Sequence, residues 1–177
     1  LLYGPHPGCN KLHRVMPEPA RKTSKDDLSL RLEAFLPYRL SILSNTISRA
    51  IAEAYAERYD LSINEWRVMA ILGRFPGSSA AEVAERAAMD KVAVSRAVSR
   101  LLDATRVHRR TDAEDRRRSV LELTTAGRRI YRQITPVLLE YESALLASLS
   151  AREQAQLDRI LSRLTSEANA LGPPQLG

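Results

Sequence analysis

Residues 79–127 hold most of the side chains in this chain that could do chemistry, and the chemistry they suit is recognition of a polyanion. Arg106, His108, Arg109, Arg110, Arg116, Arg117 and Arg118 crowd one short segment, with Asp112, Glu114 and Asp115 interleaved. Three consecutive arginines repel one another in water. Beside phosphates they are neutralised, and one of them can enter a narrow minor groove. The interleaved acids suit the orientation of guanidinium forks; as a nuclease pair they lack a lysine or metal partner. Just upstream, Val94, Val98, Leu101 and Leu102 fall on one face of a helix. Val92, Ala93, Arg96, Ser99 and Arg100 fall mostly on the other, with Lys91 at the leading end. Small residues allow close approach to a groove, while Lys, Arg and Ser supply donors to base edges and phosphates. By itself this helix fits a surface helix with incidental charge equally well. The arginine hairpin that follows tips the balance toward DNA.

Local signals place these residues on defined elements. Ser62–Glu65, Ser79–Glu82 and Ser150–Glu153 are Ser-x-x-Glu capping boxes, each marking a helix start. The first opens a helix with Trp66, Met69, Ala70 and Leu72 that stops at Phe75-Pro76-Gly77. The second opens a short alanine-rich helix to about Ala88. A turn at Met89-Asp90 follows, with Asp90 as N-cap of the basic helix. Val107–Thr111 and Ser119–Leu123 flank a polar tip and read as a hairpin, the second strand alternating Val120/Glu122 against Leu121/Leu123. From Leu28 to about Tyr59, Leu36, Leu40, Leu43, Ile47, Ile51 and Ala54 recur at helical spacing, with a bend or true start near Pro37. Such a helix has more apolar face than one small domain covers, and a second chain is a natural partner. Residues 125–149 form another helix, bent by Pro136, and the third box opens the last, which carries Leu157, Ile160, Leu161 and Leu164. The expected total is six helices, with the hairpin between the fourth and fifth.

Bulk properties narrow the function classes. The chain has 177 residues, a formal charge of +6 carried mainly by arginine, and only 5% aromatics. Length suits one domain with helical extensions, and the charge suits a polyanionic partner. Its one cysteine, Cys9, excludes an intrachain disulfide and, with three unclustered histidines, a Cys/His metal set. No nucleophile–base pairing or phosphate loop is present, so neither an enzyme nor a cofactor is expected. No run reaches membrane-spanning length, and a cytoplasmic location is expected. Residues 1–27, rich in Pro and Gly, read as a disordered leader. Residues 1–15 are open to two readings, a cloning scar or upstream readthrough, with Met16 as the natural start.

Asp112-Ala-Glu-Asp115-Arg116-Arg117 followed by Leu121-Glu-Leu123-Thr124-Thr-Ala-Gly127 resembles the wing signature of the MarR family of winged helix-turn-helix regulators. Leu61-Ser-Ile-Asn-Glu-Trp-Arg-Val and Val94-Ser95-Arg96 extend the likeness, which covers roughly residues 30–168. It implies a mainly α fold with a small β-hairpin wing, and a winged helix-turn-helix at 61–124. Dimerisation helices at 28–60 and 125–171 would flank it, ahead of a tail at 172–177. It also implies a homodimer on a near-palindromic operator in double-stranded DNA. Arg117 then matches the arginine that enters the minor groove, with Asp115 orienting it, and Ser95 and Arg96 fall in the groove helix. Val92 and Ala93 stand where many relatives have Ser or Thr, which suggests contact with thymine methyls.

The same resemblance implies a small anionic or phenolic effector, bound between the dimer helices and the winged domain. Tyr38, Arg39, Asn45 and Trp66 are the candidates here: a ring against indole, a carboxylate on guanidinium. Leu36-Pro-Tyr-Arg-Leu40 is similar to relatives that answer to aromatic acids or aryl-CoA thioesters. Cys9 is read as an inert thiol rather than a peroxide sensor. The expected function is a ligand-released repressor. The alternative is a winged-helix protein that coats DNA without sequence preference or binds protein.

Overall fold

The structure, a computed structural model, describes residues 29–111 and 119–174. Among the described residues seven helices and two strands follow in order: α1 Leu36–Glu53, α2 Ala56–Tyr59, α3 Ile63–Arg74, α4 Ala80–Ala87, α5 Lys91–Asp103, β1 Val107–Thr111, β2 Ser119–Leu123, α6 Thr125–Leu146 and α7 Ala151–Leu171. The chain divides after Leu40 into two compact units. In the first, the Ala34 and Phe35 N–H groups donate to the Arg31 carbonyl, forming a turn before α1. Pro37 sits in the first turn of α1, where its missing N–H costs nothing.

The long N-terminal helix expected from Leu28 to Tyr59 is therefore shorter and broken. Ala54 and Tyr55 donate back only three residues, to Ile51 and Ala52. This tightening turns the Tyr55 ring into the core, where it is 1% exposed. A one-turn α2 follows and ends at Asp60 in the left-handed region, φ 45°. That break accounts for seven helices rather than six. The other starts fall where their caps lie. All three capping boxes are closed in both directions, and α6 continues through Pro136.

The second unit, from Ser41 onward, packs α3, α4 and α5 against one another and against the hairpin. Val68, Met69, Leu72, Val83, Val94, Val98, Leu101, Val107, Leu121 and Leu123 form its centre. Each such side chain contributes about 1.5–3 kcal/mol when removed from water. β1 and β2 pair antiparallel from Val107↔Leu123 to Thr111↔Ser119. The other edge of β2 is covered as well: Gly77 N–H donates to Leu121 O at 3.1 Å, and Leu121 N–H to Ser78 O at 2.9 Å. β2 is consequently buried at Val120 as well as at Leu121 and Leu123, instead of strictly alternating. Trp66 stacks between Tyr55 (5.5 Å between ring centroids) and Tyr131 (6.0 Å). Gly73 makes room for Tyr131, since a Cβ there would lie 2.6 Å from its ring.

Burial pushes the Tyr55 phenol up to about 12 from 10.0, with the charge of Arg67 pulling the other way. A pKa raised on folding stabilises the protein fully below the unfolded value of 10.0. That stability is lost as pH rises through the folded value. The amount is about 3 kcal/mol at roughly 1.4 kcal/mol per unit. Urea midpoints measured from about pH 9 upward should fall steeply in the wild type and less in Tyr55→Phe; parallel curves would disprove this.

Candidate nucleic-acid interface

The helix pair at the centre of the site is built by its caps. α4 ends at Ala88, a left-handed residue (φ 49°) whose N–H donates to Ala84 O and Glu85 O. Two residues later the Asp90 carboxylate accepts from Val92 N–H at 2.8 Å and Ala93 N–H at 3.2 Å, starting α5. Val94, Ala97, Val98 and Leu101 fix one face of α5 in the core. Lys91, Val92, Ser95, Arg96, Ser99 and Arg100 are left exposed on the other, with Ala93 half-buried. Val92 is 56% exposed, which is unusual for its type and leaves its methyls available to a groove.

The hairpin cations divide by role. Arg106 is no part of the wing surface: its guanidinium donates to the Asp60 carbonyl at 3.0 Å and to the Tyr59 carbonyl, closing the end of α2. Arg110 pairs with Glu122 at 2.9 Å, and His108 lies 3.6 Å from the same carboxylate. One half-buried Glu122 thus orders two side chains of the opposite strand. Arg109 is exposed on β1. Asp115, Arg116, Arg117 and Arg118 lie outside the described residues.

Arg100 differs from its neighbours on α5. Its Nε lies 2.9 Å from Glu65 Oε1, and Glu65 is 3% exposed. The other carboxylate oxygen, Oε2, accepts from Ser62 N–H at 2.7 Å in the capping box of α3. One buried carboxylate thereby joins the start of α3 to the outer face of α5.

A cavity of about 700 Å³ opens beside the start of α3, lined by Ile42, Asn45, Ser48, Arg49, Ser62, Ile63, Asn64 and Arg67. Arg67 donates to Ser48 Oγ at 3.2 Å, and Asn45 approaches Ser41 Oγ at 3.5 Å. Of the four effector residues expected from sequence, Asn45 lines this cavity. Trp66 is held in the aromatic stack of the core. Tyr38 and Arg39 belong to the unit that ends at Leu40. Arg49, Asn64 and Arg67 were not among the expected effector residues. Their signal was a polar residue recurring at helical spacing from Asn45 and Asn64. Among the described residues no cluster of His, Cys, Asp and Glu could hold a metal, and no helix is long and apolar enough to cross a membrane.

The family model for MarR matches residues 59–118, from the end of α2 to the residue before β2. The HTH-type transcriptional regulator BilQ of Clostridium symbiosum is 31% identical over 100 residues, covering 55% of this chain and 69% of that protein. This chain belongs to the MarR family. It is a DNA-binding transcriptional regulator, and its relatives are regulators rather than enzymes. A second relative, the HTH-type transcriptional repressor Rv2887 of Mycobacterium tuberculosis, is 28% identical over 134 residues, 75% of this chain and 93% of that one. The PcaV transcriptional regulator of Streptomyces coelicolor, solved with its natural ligand, shares the fold. Its TM-score is 0.65 at 24% identity, covering 78% of this chain and 96% of PcaV. The winged helix-turn-helix of the MarR family is thus α3, α4 and α5 followed by the β1–β2 hairpin.

Proposed function

We propose that this MarR-family regulator is a homodimeric, cytoplasmic repressor of a near-palindromic operator, released by a small anionic effector. The observation that carries the DNA half is the outer face of α5. It sets Lys91, Ser95, Arg96, Ser99 and Arg100 in solvent on a helix whose opposite face is locked into the core. Such a helix enters a major groove with donors leading. Val92 and Ala93 then meet thymine methyls. The tip arginines Arg116, Arg117 and Arg118 follow the flanking backbone, with Arg117 in the minor groove and Asp115 orienting it. Two-fold pairing would centre the half-sites about one helical turn apart.

The repressor assignment draws on the likeness to Rv2887. The effector draws on the cavity, where Arg49 and Arg67 stand among Asn45, Ser48 and Asn64. Two guanidiniums among hydrogen-bonding groups suit a carboxylate. An aromatic acid or an aryl-CoA thioester supplies that anion. Asn45 contacts it directly on this reading, while Trp66 backs α3 from the core.

Fluorescence polarisation on the protein's own upstream duplex and on a scrambled duplex tests this, with and without a panel of aromatic acids and aryl-CoA thioesters. Preference for the upstream duplex, abolished by one compound, is expected. Arg96→Ala and Arg117→Ala should each weaken operator binding about 10- to 100-fold at constant salt, as loss of a base or groove contact does. Equal affinity for both duplexes with a steep salt slope would instead identify a protein that coats DNA without sequence preference.

A further inference from the structure

Arg100 is the one exposed cation of α5 that the described residues hold in place. Its side chain is 63% exposed while that of its partner Glu65 is 4% exposed, so the contact is anchored from the core outward. Both carboxylate oxygens are engaged: Oε1 receives Arg100 Nε at 2.9 Å and Oε2 receives Ser62 N–H at 2.7 Å. A buried carboxylate without a counter-charge is strongly disfavoured, so Glu65 commits Arg100 to this geometry in the free protein. Among the described residues Glu65 engages the guanidinium through Nε, and the side chain is 63% exposed on the face that carries Arg96 and Ser99, so the Nη groups supply further donors there. A guanidinium held by one edge loses little rotamer freedom when its other edge meets a phosphate.

We infer that Glu65 is a positioning residue for DNA binding, which pre-sets the Arg100 fork for a backbone phosphate at the edge of the groove. Glu65 itself touches no DNA. The inference rests on α5 being the groove helix. It makes Arg100 a backbone contact, sequence-independent and salt-sensitive, unlike a base-reading Arg96.

The test measures affinity against salt for wild type, Arg100→Ala, Glu65→Gln and the double variant. It uses two probes: a duplex enriched by the wild-type protein from a random-sequence library, and a mixed-sequence duplex. Gln keeps the capping box, which accepts either residue, and removes only the charge. Each single variant should weaken both duplexes by about 3- to 10-fold; Arg100→Ala should also flatten the log–log salt slope by about 0.9, one phosphate's worth, whereas Glu65→Gln keeps the guanidinium and should not flatten it. The double variant should bind no more weakly than Arg100→Ala, because Glu65 acts only through Arg100. A merely structural Glu65 would lower thermal stability, and its effect on binding would add to that of Arg100→Ala. Unchanged or tighter binding by Glu65→Gln, or additivity in the double variant, overturns the inference. Should Glu65→Gln not fold, Arg100→Lys decides. It keeps the charge but loses the fork, so it should fall nearer Ala than wild type, and wild-type affinity would overturn the role. A wild-type protein that enriches no sequence yet binds the mixed duplex sinks only the operator reading, and the comparison on that duplex still decides Glu65. Binding to neither duplex overturns both.

Discussion

Gly127→Ala is expected to destabilise the protein at the junction between the hairpin and α6, against the usual sign for a glycine in a helix. Exchanging a helical Gly for Ala ordinarily gains about 0.5–1 kcal/mol. Here a Cβ on Gly127 would lie 2.0 Å from the Arg106 carbonyl oxygen and 3.0 Å from its carbon. The obstacle is backbone, and it is pinned. The same oxygen accepts from Thr124 N–H at 3.0 Å and from Thr124 Oγ at 3.2 Å. Thr124 Oγ in turn caps α6 by accepting from Gly127 N–H at 3.0 Å. From the other side, the Arg106 guanidinium is anchored on the carbonyls that end α2. Relieving the clash means giving up the cap or the clamp. The expected loss is therefore at or above the upper end of the about 1–3 kcal/mol that overpacking costs. It should show as a lower urea midpoint at unchanged slope, with DNA binding lost as the wing unseats. A midpoint equal to or above wild type would mean that Gly127 does not approach Arg106 this closely.

What could be read from the sequence was what the chain decides over a few residues. Ser62, Ser79, Ser150 and Asp90 cap their helices because the groups involved are at most three residues apart, and the structure closes each of them. The two faces of α5 were legible for the same reason: burial follows the helical period. The pairing of Ser78 with Leu121 was not, since two bridging residues carry no periodicity. Arg106 was misplaced among the wing cations because a guanidinium reach to Tyr59 and Asp60 depends on tertiary packing, and composition cannot see it. The effector residues divide along the same line. Trp66 was an attractive ring for a ligand, but Tyr55 and Tyr131 already pack against it. Arg49 and Arg67, from different helices, meet around one cavity only once α1 and α3 are packed. The wing motif at 112–118 carried the resemblance to the MarR family, and the family model runs through it.

Leu161→Glu is expected to convert the protein to a monomer and to lower operator affinity by more than about 100-fold. Leu157, Ile160, Leu161 and Leu164 stand at helical spacing along α7 and are 38–44% exposed, and no residue of α7 is buried. Val137, Leu139 and Leu145 on α6 are exposed to a similar or greater degree. A stripe this apolar, at positions that repeat every turn, is built to be covered. Under the proposed dimer each of these side chains contributes roughly 1 kcal/mol or more on burial, counted once per protomer. A carboxylate among them would be desolvated without a partner, a penalty of several kcal/mol in each half of the interface. In an isolated chain the same substitution sits on a solvent-exposed helix face, where changes stay within about 0.5 kcal/mol. The variant should therefore keep its helical circular dichroism while light scattering reports half the wild-type mass. Operator affinity should collapse because a monomer engages one half-site, forfeiting the roughly 10²- to 10⁴-fold gain of linked binding. The two readouts separate two claims. A variant that stays dimeric with wild-type affinity would remove α7 from the interface. A folded monomer that still binds the operator as tightly as wild type would show that recognition needs only one winged domain.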